Sequence, residues 1–253
     1  MSSINIIPIG SGSTGNSIYI EINEHRFLVD MGIGFRKIRD VLQEHKRNIA
    51  DIEAIFLTHS HSDHIKSAPA IANNTSCIVY GDATHMYNIR NINAERRILD
   101  PYADTEIGGL NVRMFYVPHD FVKTCGYTFS SENKKVGFVT DCGQMSDAIL
   151  QELSGSDVVI IESNHDIEML KNGPYPIELQ NRILSKYGHL SNDDCATAIA
   201  KLYETGTKHF LLAHVSLHNN TKALAYETTA KVMEGKDITL YVCPEQGNDL
   251  LNF

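Results

Sequence analysis

The chain has 253 residues, enough to bury a full hydrophobic core in one large domain. Hydrophobic residues make up 42% of the chain, and no apolar run approaches the roughly 20 residues that a membrane-spanning helix needs, which argues against an integral membrane protein. A net charge of −9 argues against a protein that binds long nucleic acid by electrostatics alone.

The first half of the chain predicts short strands and one clear helix. The predicted strands are residues 4–9, 17–22, 26–29, 52–58, 77–80 and 110–117. A glycine-rich loop at residues 10–16 joins the first two; it lacks the lysine of a nucleotide-triphosphate motif, so it is either a tight turn or a phosphate contact. Residues 35–45 predict a helix, because Ile38, Val41 and Leu42 fall on one face.

The second half continues this alternation. The predicted strands are residues 136–140, 158–161, 210–213 and 238–242. Ser191 is a typical N-cap for a helix whose apolar face holds Ala198, Ile199 and Leu202. With no linker and no internal repeat, the pattern predicts a single α/β domain over residues 1–253.

Four predicted strands run directly into polar residues that can bind metal or transfer protons. These residues are His59, Asp141, Glu162 and His214. Side chains at strand ends are held by a rigid scaffold, so the pattern predicts one site assembled from distant segments.

The strongest motif is the HxHxDH run that follows the strand at residues 52–58. It contains His59, His61, Asp63 and His64, four potential ligands within six residues. Imidazole nitrogen and carboxylate oxygen suit zinc, manganese or iron. A polar loop with chance histidines is an improbable explanation of this order of residues.

This motif resembles that of the metallo-β-lactamase superfamily, which implies a four-layer αββα sandwich. Asp30 matches the early aspartate that supports the metal loop in that family. The resemblance implies that His59, His61 and His119 hold one divalent ion and that Asp63, His64 and His214 hold a second. It also implies that Asp141 bridges the two ions, and that Asp63 contributes to catalysis.

The middle of the chain resembles the phosphodiesterase branch of that superfamily. Glu162 and His189 match a pair that steers a proton near the leaving group. The structural alternatives are that Glu162 forms a salt bridge at the end of its strand and that His189 belongs to the loop before a helix. His165 either contacts substrate or only stabilises its loop. Several segments together resemble the YycJ (WalJ) group of DNA exonucleases, which act from the 5′ end: residues 10–16, 162–170, 188–192 and 213–216.

Four classes of function follow from these observations. The first is a DNA exonuclease, and the second is a small-molecule phosphodiesterase acting on cyclic nucleotides, which the acidic chain favours. A hydrolase of other bonds and a non-enzymatic binding module are the remaining alternatives. Two short basic clusters, at Arg90, Arg96 and Arg97 and at His45, Lys46 and Arg47, are either nucleic-acid contacts or, as we expect, solvated faces.

The cysteines and the N-terminus indicate the compartment. The chain has five cysteines and no CxxC pair, which predicts reduced thiols rather than a disulfide framework. The first ten residues lack the basic and apolar pattern of a secretory signal. We therefore expect a cytoplasmic protein, and the family resemblance favours a homodimer.

Overall fold

The structure is a computed structural model that describes residues 3–89 and 92–253. The strands, in chain order, are β1 (Ile4–Gly10), β2 (Ser17–Ile22), β3 (His25–Val29), β4 (Ala54–Phe56), β5 (Ile78–Gly81), β6 (Arg96–Ile98), β7 (Asp104–Ile107), β8 (Leu110–Tyr116), β9 (Cys125–Ser131), β10 (Lys134–Val139), β11 (Val158–Glu162), β12 (His209–Ala213), β13 (Thr239–Val242) and β14 (Leu251–Asn252).

The helices are mostly short. In chain order they are α1 (Phe35–Glu44), α2 (Ser62–Ile65), α3 (Ala68–Ala72), α4 (Ala83–Asn88), α5 (Asp147–Leu153), α6 (Ile167–Asn172), α7 (Ile177–Ile183), α8 (Asn192–Tyr203) and α9 (Lys222–Val232). A 3-10 turn at Ile49–Asp51 leads into β4. Among the described residues, no helix is both long and apolar enough to cross a membrane.

The strands form two mixed sheets of seven strands each. The first has the order β14-β1-β2-β3-β4-β5-β6, and the second has the order β13-β12-β11-β10-β9-β8-β7. In the first sheet, β1 to β3 are antiparallel neighbours, whereas β3 to β6 are parallel. In the second, β10 to β13 are parallel, with Glu162 level with Ala213. Parallel strands align their carboxyl ends, so residues that follow them are brought to one edge.

The chain divides into two compact units. Unit 1 holds the described residues up to Met114 together with Ser130–Lys134 and Pro244–Phe253, and unit 2 holds Phe115–Phe129 and Lys135–Cys243. Each unit has its own apolar core. The core of unit 1 includes Ile7, Leu28 and Val41, and that of unit 2 includes Val159, Ile199 and Leu212. The single-domain organisation over residues 1–253 stays a prediction.

The predicted elements agree with the structure best where apolar runs are strong. Helix α1 and strands β1, β2, β3 and β8 end within one residue of their predicted bounds, and Ser191 caps α8 by accepting a hydrogen bond from the Asp194 amide. The strand predicted at residues 52–58 is much shorter in the structure, where β4 spans only Ala54–Phe56. His59 therefore lies three residues beyond its strand rather than at its end, and Asp141 lies two residues beyond β10.

Candidate active site

Unit 1 carries a histidine turn between β4 and α2. His59 and His64 are fully buried, whereas His61 and Asp63 are half-buried. The His59 Nε2 and His61 Nδ1 atoms are 2.9 Å apart, and Asp63 Oδ2 lies 3.5 Å from His64 Nε2. Since α2 begins directly after His61, one short turn brings all four predicted side chains together.

Asp30 supports this turn from the end of β3. Its carboxylate accepts hydrogen bonds from the Thr58 amide at 2.9 Å and the Thr58 hydroxyl at 2.8 Å, and it lies 2.7 Å from His64 Nδ1. A carboxylate bonded to Nδ1 leaves Nε2 as the ligand atom of the imidazole. Asp30 adopts a φ of 58°, an uncommon left-handed conformation that marks a constrained position. The supporting role predicted for Asp30 agrees with these contacts.

The glycine-rich loop at residues 10–16 packs against the histidine turn. The Asn16 amide nitrogen lies 3.0 Å from His64 Nε2, and the Asn16 backbone N–H donates to the Asp63 carbonyl at 2.8 Å. Gly32 fits in the same place because a Cβ there would lie 1.5 Å from the Asp63 carbonyl oxygen. The sequence did not single out Asn16; its place at the end of a glycine-rich loop was the available signal.

Unit 2 is organised around the buried Glu162 carboxylate. Its Oε1 atom lies 2.8 Å from both His189 Nδ1 and His214 Nδ1. Its Oε2 atom accepts hydrogen bonds from the Cys142 amide at 2.9 Å and the Leu190 amide at 3.1 Å. Asp141, Glu162, His189 and His214 each offer a ligand atom within 4.8 Å of the others. One carboxylate therefore orients two imidazoles and anchors two loops.

The ion pairs in this cluster determine its protonation. Burial alone would raise the pKa of Glu162, but His189 and His214 together hold that pKa well below its usual range. Burial alone would lower the pKa of His189, but the Glu162 carboxylate outweighs it and raises the pKa to about 9. His189 is therefore an imidazolium at neutral pH, stabilised by an ionised Glu162.

His119 and Asp141 complete the unit 2 cluster. The His119 Nδ1 atom bonds the Gly188 carbonyl at 3.1 Å, and its Nε2 atom lies 3.8 Å from Asp141 Oδ1. Asp141 has a φ of 53° and His214 one of 54°. A Cβ at Gly143 would lie 2.6 Å from the Gly188 amide, so these loops approach as closely as glycines allow. The predicted unit 2 residues thus share one constrained cluster.

A buried amide network behind Glu162 escaped the sequence analysis. Asn220 donates to Asn192 Oδ1 at 2.8 Å and to the Ser163 carbonyl at 3.0 Å, and Ser163 Oγ donates to Asn192 Oδ1 at 2.7 Å. Asn164 donates to the His214 carbonyl at 2.9 Å. The network joins the loops after β11 and β12 to the start of α8. Asn220 alone lies outside the segments that resemble the YycJ group, and no spacing in the sequence predicts that these side chains meet.

His165 is packed inside unit 2. Its exposed fraction is 1%, and neither ring nitrogen has a hydrogen-bond partner in the part of the chain that the structure describes. Burial lowers its pKa to about 4, so the ring is neutral at physiological pH. Its carbonyl accepts the Asn192 amide at 2.9 Å. Of the two roles left open for His165, loop stabilisation is the one that these contacts favour.

The two basic clusters are engaged in local contacts. Arg97 pairs with Glu95 at 2.7 Å, and Arg96 donates to the Met86 carbonyl at 3.0 Å. Arg90 lies outside the described residues. In the second cluster, Arg47 lies 3.4 Å from the Glu21 carboxylate. These contacts favour a structural role over a nucleic-acid patch.

Comparison with known proteins identifies the family. A family model described as a β-lactamase superfamily domain matches residues 25–215. The chain is 36% identical over 233 residues to exodeoxyribonuclease YycJ of Bacillus anthracis, covering 90% of this chain and 88% of that protein. It is 34% identical over 237 residues to exodeoxyribonuclease WalJ of Streptococcus pneumoniae, covering 91% and 88%.

A solved structure identifies the fold. The metallo-β-lactamase fold protein YhfI from Bacillus subtilis aligns with 99% of this chain and 100% of its own, at a TM-score of 0.74 and 13% identity. The predicted α/β metallo-β-lactamase fold is confirmed, and so is the predicted resemblance to the YycJ group. The chain belongs to the β-lactamase superfamily and is similar over most of its length to the YycJ and WalJ exodeoxyribonucleases.

Proposed function

We propose that the chain is a metal-dependent phosphodiester hydrolase that degrades DNA from the 5′ end. The observation that carries the proposal is the Glu162 carboxylate, which lies 2.8 Å from the Nδ1 atoms of both His189 and His214. A protonated imidazole beside two candidate metal ligands is the arrangement that cleavage of a phosphodiester with a poor leaving group requires. The similarity to two exodeoxyribonucleases supports DNA as the substrate.

The candidate ligands fit divalent metal ions. We propose that His59, His61 and His119 hold one ion, that Asp63, His64 and His214 hold the other, and that Asp141 bridges them. The donor types suit zinc or manganese. The fixed tautomer of His64, set by Asp30, and that of His214, set by Glu162, support this assignment, because metal-binding histidines usually donate their second nitrogen to a carboxylate. When bound, a pair of divalent ions lowers the pKa of a shared water and stabilises negative charge on the phosphate.

The residues of the chain supply orientation and a proton. Glu162 fixes Nδ1 of His189, so the Nε2–H of the imidazolium is the proton available for the leaving oxygen. Asp63 is proposed to contribute to catalysis as well as to metal binding. The amide network of Asn192 and Asn220 keeps the loops that carry Glu162, His189 and His214 in register.

A small phosphodiester is the second candidate substrate. The net charge of −9 favours a compact substrate such as a cyclic nucleotide over a long polyanion. The mechanism above would serve either substrate, since the scissile bond is the same. A hydrolase of lactams or thioesters is a weaker alternative, because such substrates do not need the Glu162–His189 pair.

A degradation assay separates these candidates. Purified protein would be incubated with manganese or zinc and with single- and double-stranded DNA labelled at the 5′ end, beside cyclic mononucleotides and bis-p-nitrophenyl phosphate. We expect early release of labelled mononucleotides or short oligonucleotides from DNA. Hydrolysis of the small phosphodiesters with no cleavage of DNA under either metal would reject the exonuclease proposal.

A cytoplasmic location forms part of this proposal. None of the five cysteines forms a disulfide in the structure and all five are buried, which fits a reducing compartment. DNA as a substrate points to the same compartment. The homodimer favoured by the family resemblance stays a prediction.

A further inference from the structure

A cavity in unit 1 borders the histidine turn. Its volume is about 330 Å³, and it is lined by Ser60, Ser62, Ile65, Lys66, Pro69, Asn88 and Ile89. This volume is sufficient for one nucleotide unit of a strand. The cavity has no role in the site described above.

Two of the residues that line the cavity alternate with the candidate metal ligands. Ser60 lies between His59 and His61 in sequence, and Ser62 lies between His61 and Asp63. Asn88, the last residue of α4, donates to Ser60 Oγ at 3.0 Å and so ties α4 to the histidine turn. A ligand in the cavity would therefore touch the same short segment that carries His59, His61 and Asp63.

The polar groups of the cavity favour an anion. Lys66 is exposed at the end of α2, and the described residues offer it no ion pair. Two serine hydroxyls and the Asn88 amide add hydrogen-bond donors, and no carboxylate occurs among the described lining residues. Ile65, Pro69 and Ile89 supply an apolar wall that suits a sugar or a base.

We propose that this cavity binds one nucleotide of the DNA strand beside the scissile bond, with Lys66 and the serine hydroxyls contacting its phosphate. This inference rests on the proposed function, because it assigns a subsite for the DNA substrate. Lys66 is a specificity-determining residue in this account. It favours a strand with a second phosphate over a substrate that contains only one.

Equilibrium binding without turnover tests the subsite. Metal-stripped protein would be titrated into fluorescent single-stranded DNA at several salt concentrations, using the wild type, Lys66→Ala, Lys66→Arg and Lys37→Ala. Lys37 is the matched control, an exposed lysine on α1 in the same unit. We expect Lys66→Ala to lower the slope of log affinity against log salt by about 0.7, which is about a fivefold loss of affinity at 0.1 M salt. Lys66→Arg and Lys37→Ala should keep the wild-type slope.

Kinetics on two substrates complete the test. Lys66→Ala should raise KM for DNA about fivefold with kcat within twofold, while hydrolysis of bis-p-nitrophenyl phosphate stays unchanged. Asn88→Asp, which puts a carboxylate in the cavity, should raise KM for DNA above that of Lys66→Ala. A salt slope and KM for Lys66→Ala equal to those of Lys37→Ala would overturn the subsite and leave the exonuclease proposal standing. Wild-type protein that cleaves only the small phosphodiester would instead overturn both.

Discussion

The candidate residues of the two units are arranged in different ways. In unit 1, His59, His61, Asp63 and His64 come from one turn of six residues, held by Asp30. In unit 2, Asp141, Glu162, His189 and His214 come from four separate segments and lie close together. A local cluster depends on one short turn, whereas a dispersed cluster depends on the register of a parallel sheet and on the loops that leave it.

The same physical device supports both clusters. A buried carboxylate accepts hydrogen bonds from a histidine Nδ1 and from the backbone of a neighbouring loop: Asp30 does so in unit 1 and Glu162 in unit 2. The two carboxylates differ in the number of histidines that they orient. Asp30 orients His64 alone, whereas Glu162 orients both His189 and His214 and keeps His189 protonated. Removing Glu162 should therefore disturb more of the chemistry than removing Asp30.

Removal of one ligand from each unit should have the largest effect. His61→Ala in unit 1 and Asp141→Ala in unit 2 should each lose bound metal and about a thousandfold or more in kcat, because both ligand sets are needed for the same reaction. Metal analysis and DNA degradation would be measured on the same preparations, with His45→Ala as the control. Full metal content and turnover in either variant would contradict the proposed assignment of that residue as a metal ligand.

Replacement of the two supporting carboxylates tests whether Glu162 and Asp30 have different roles. Glu162→Gln should lower kcat at saturating metal by about a hundredfold or more. A neutral glutamine cannot stabilise the protonated imidazole of His189, and its amide nitrogen cannot accept the hydrogen bonds that one carboxylate oxygen accepts now. Asp30→Asn should mainly weaken metal affinity, by about tenfold to a hundredfold, and change kcat little once metal is saturating. Metal titrations monitored by activity distinguish the two; the reverse pattern would show that we have assigned the roles wrongly.

A change far from either cluster should have the smallest effect. Glu21 on β2 is bonded by the Tyr19 hydroxyl at 2.6 Å and lies 3.4 Å from Arg47. Burial alone would raise the pKa of Glu21, but Tyr19 and the arginines hold it below its usual range. Because the folded-state pKa is the lower one, this stabilisation is present above the unfolded-state pKa of about 4.3 and is lost as pH falls through the folded-state pKa.

Glu21→Gln should therefore destabilise the protein by about 1–3 kcal/mol at pH 7, and the difference from wild type should shrink below about pH 4. Urea unfolding across a pH series measures this difference, with specific activity as the control. An equal difference at every pH would show that the charge of Glu21 does not stabilise the fold.

Local signals predicted unit 1 better than unit 2. The HxHxDH run identifies itself by spacing, and helix α1 has a clear apolar face. In unit 2, the strand-end pattern indicates that Asp141, Glu162 and His214 belong to one site, whereas only the family resemblance adds His119 and His189.

The elements that the sequence did not predict have weak local patterns. Strand β9 mixes Gly126, Thr128 and Ser130 with apolar residues, so its alternation was not recognised. Helices α6 and α7 have six and seven residues, too few for a helical period to emerge. Asn192 and Asn220 reach the candidate site through tertiary contacts, which their spacing in the sequence does not encode.

Metal stoichiometry decides whether DNA degradation needs two bound ions. Protein stripped with a chelator would be titrated with manganese or zinc while bound metal and degradation of 5′-labelled DNA are measured together. We predict no activity without metal and full activity only when about two ions are bound per chain. DNA degradation by metal-free protein, or full activity with a single bound ion, would contradict the proposal that the chain is a dinuclear nuclease.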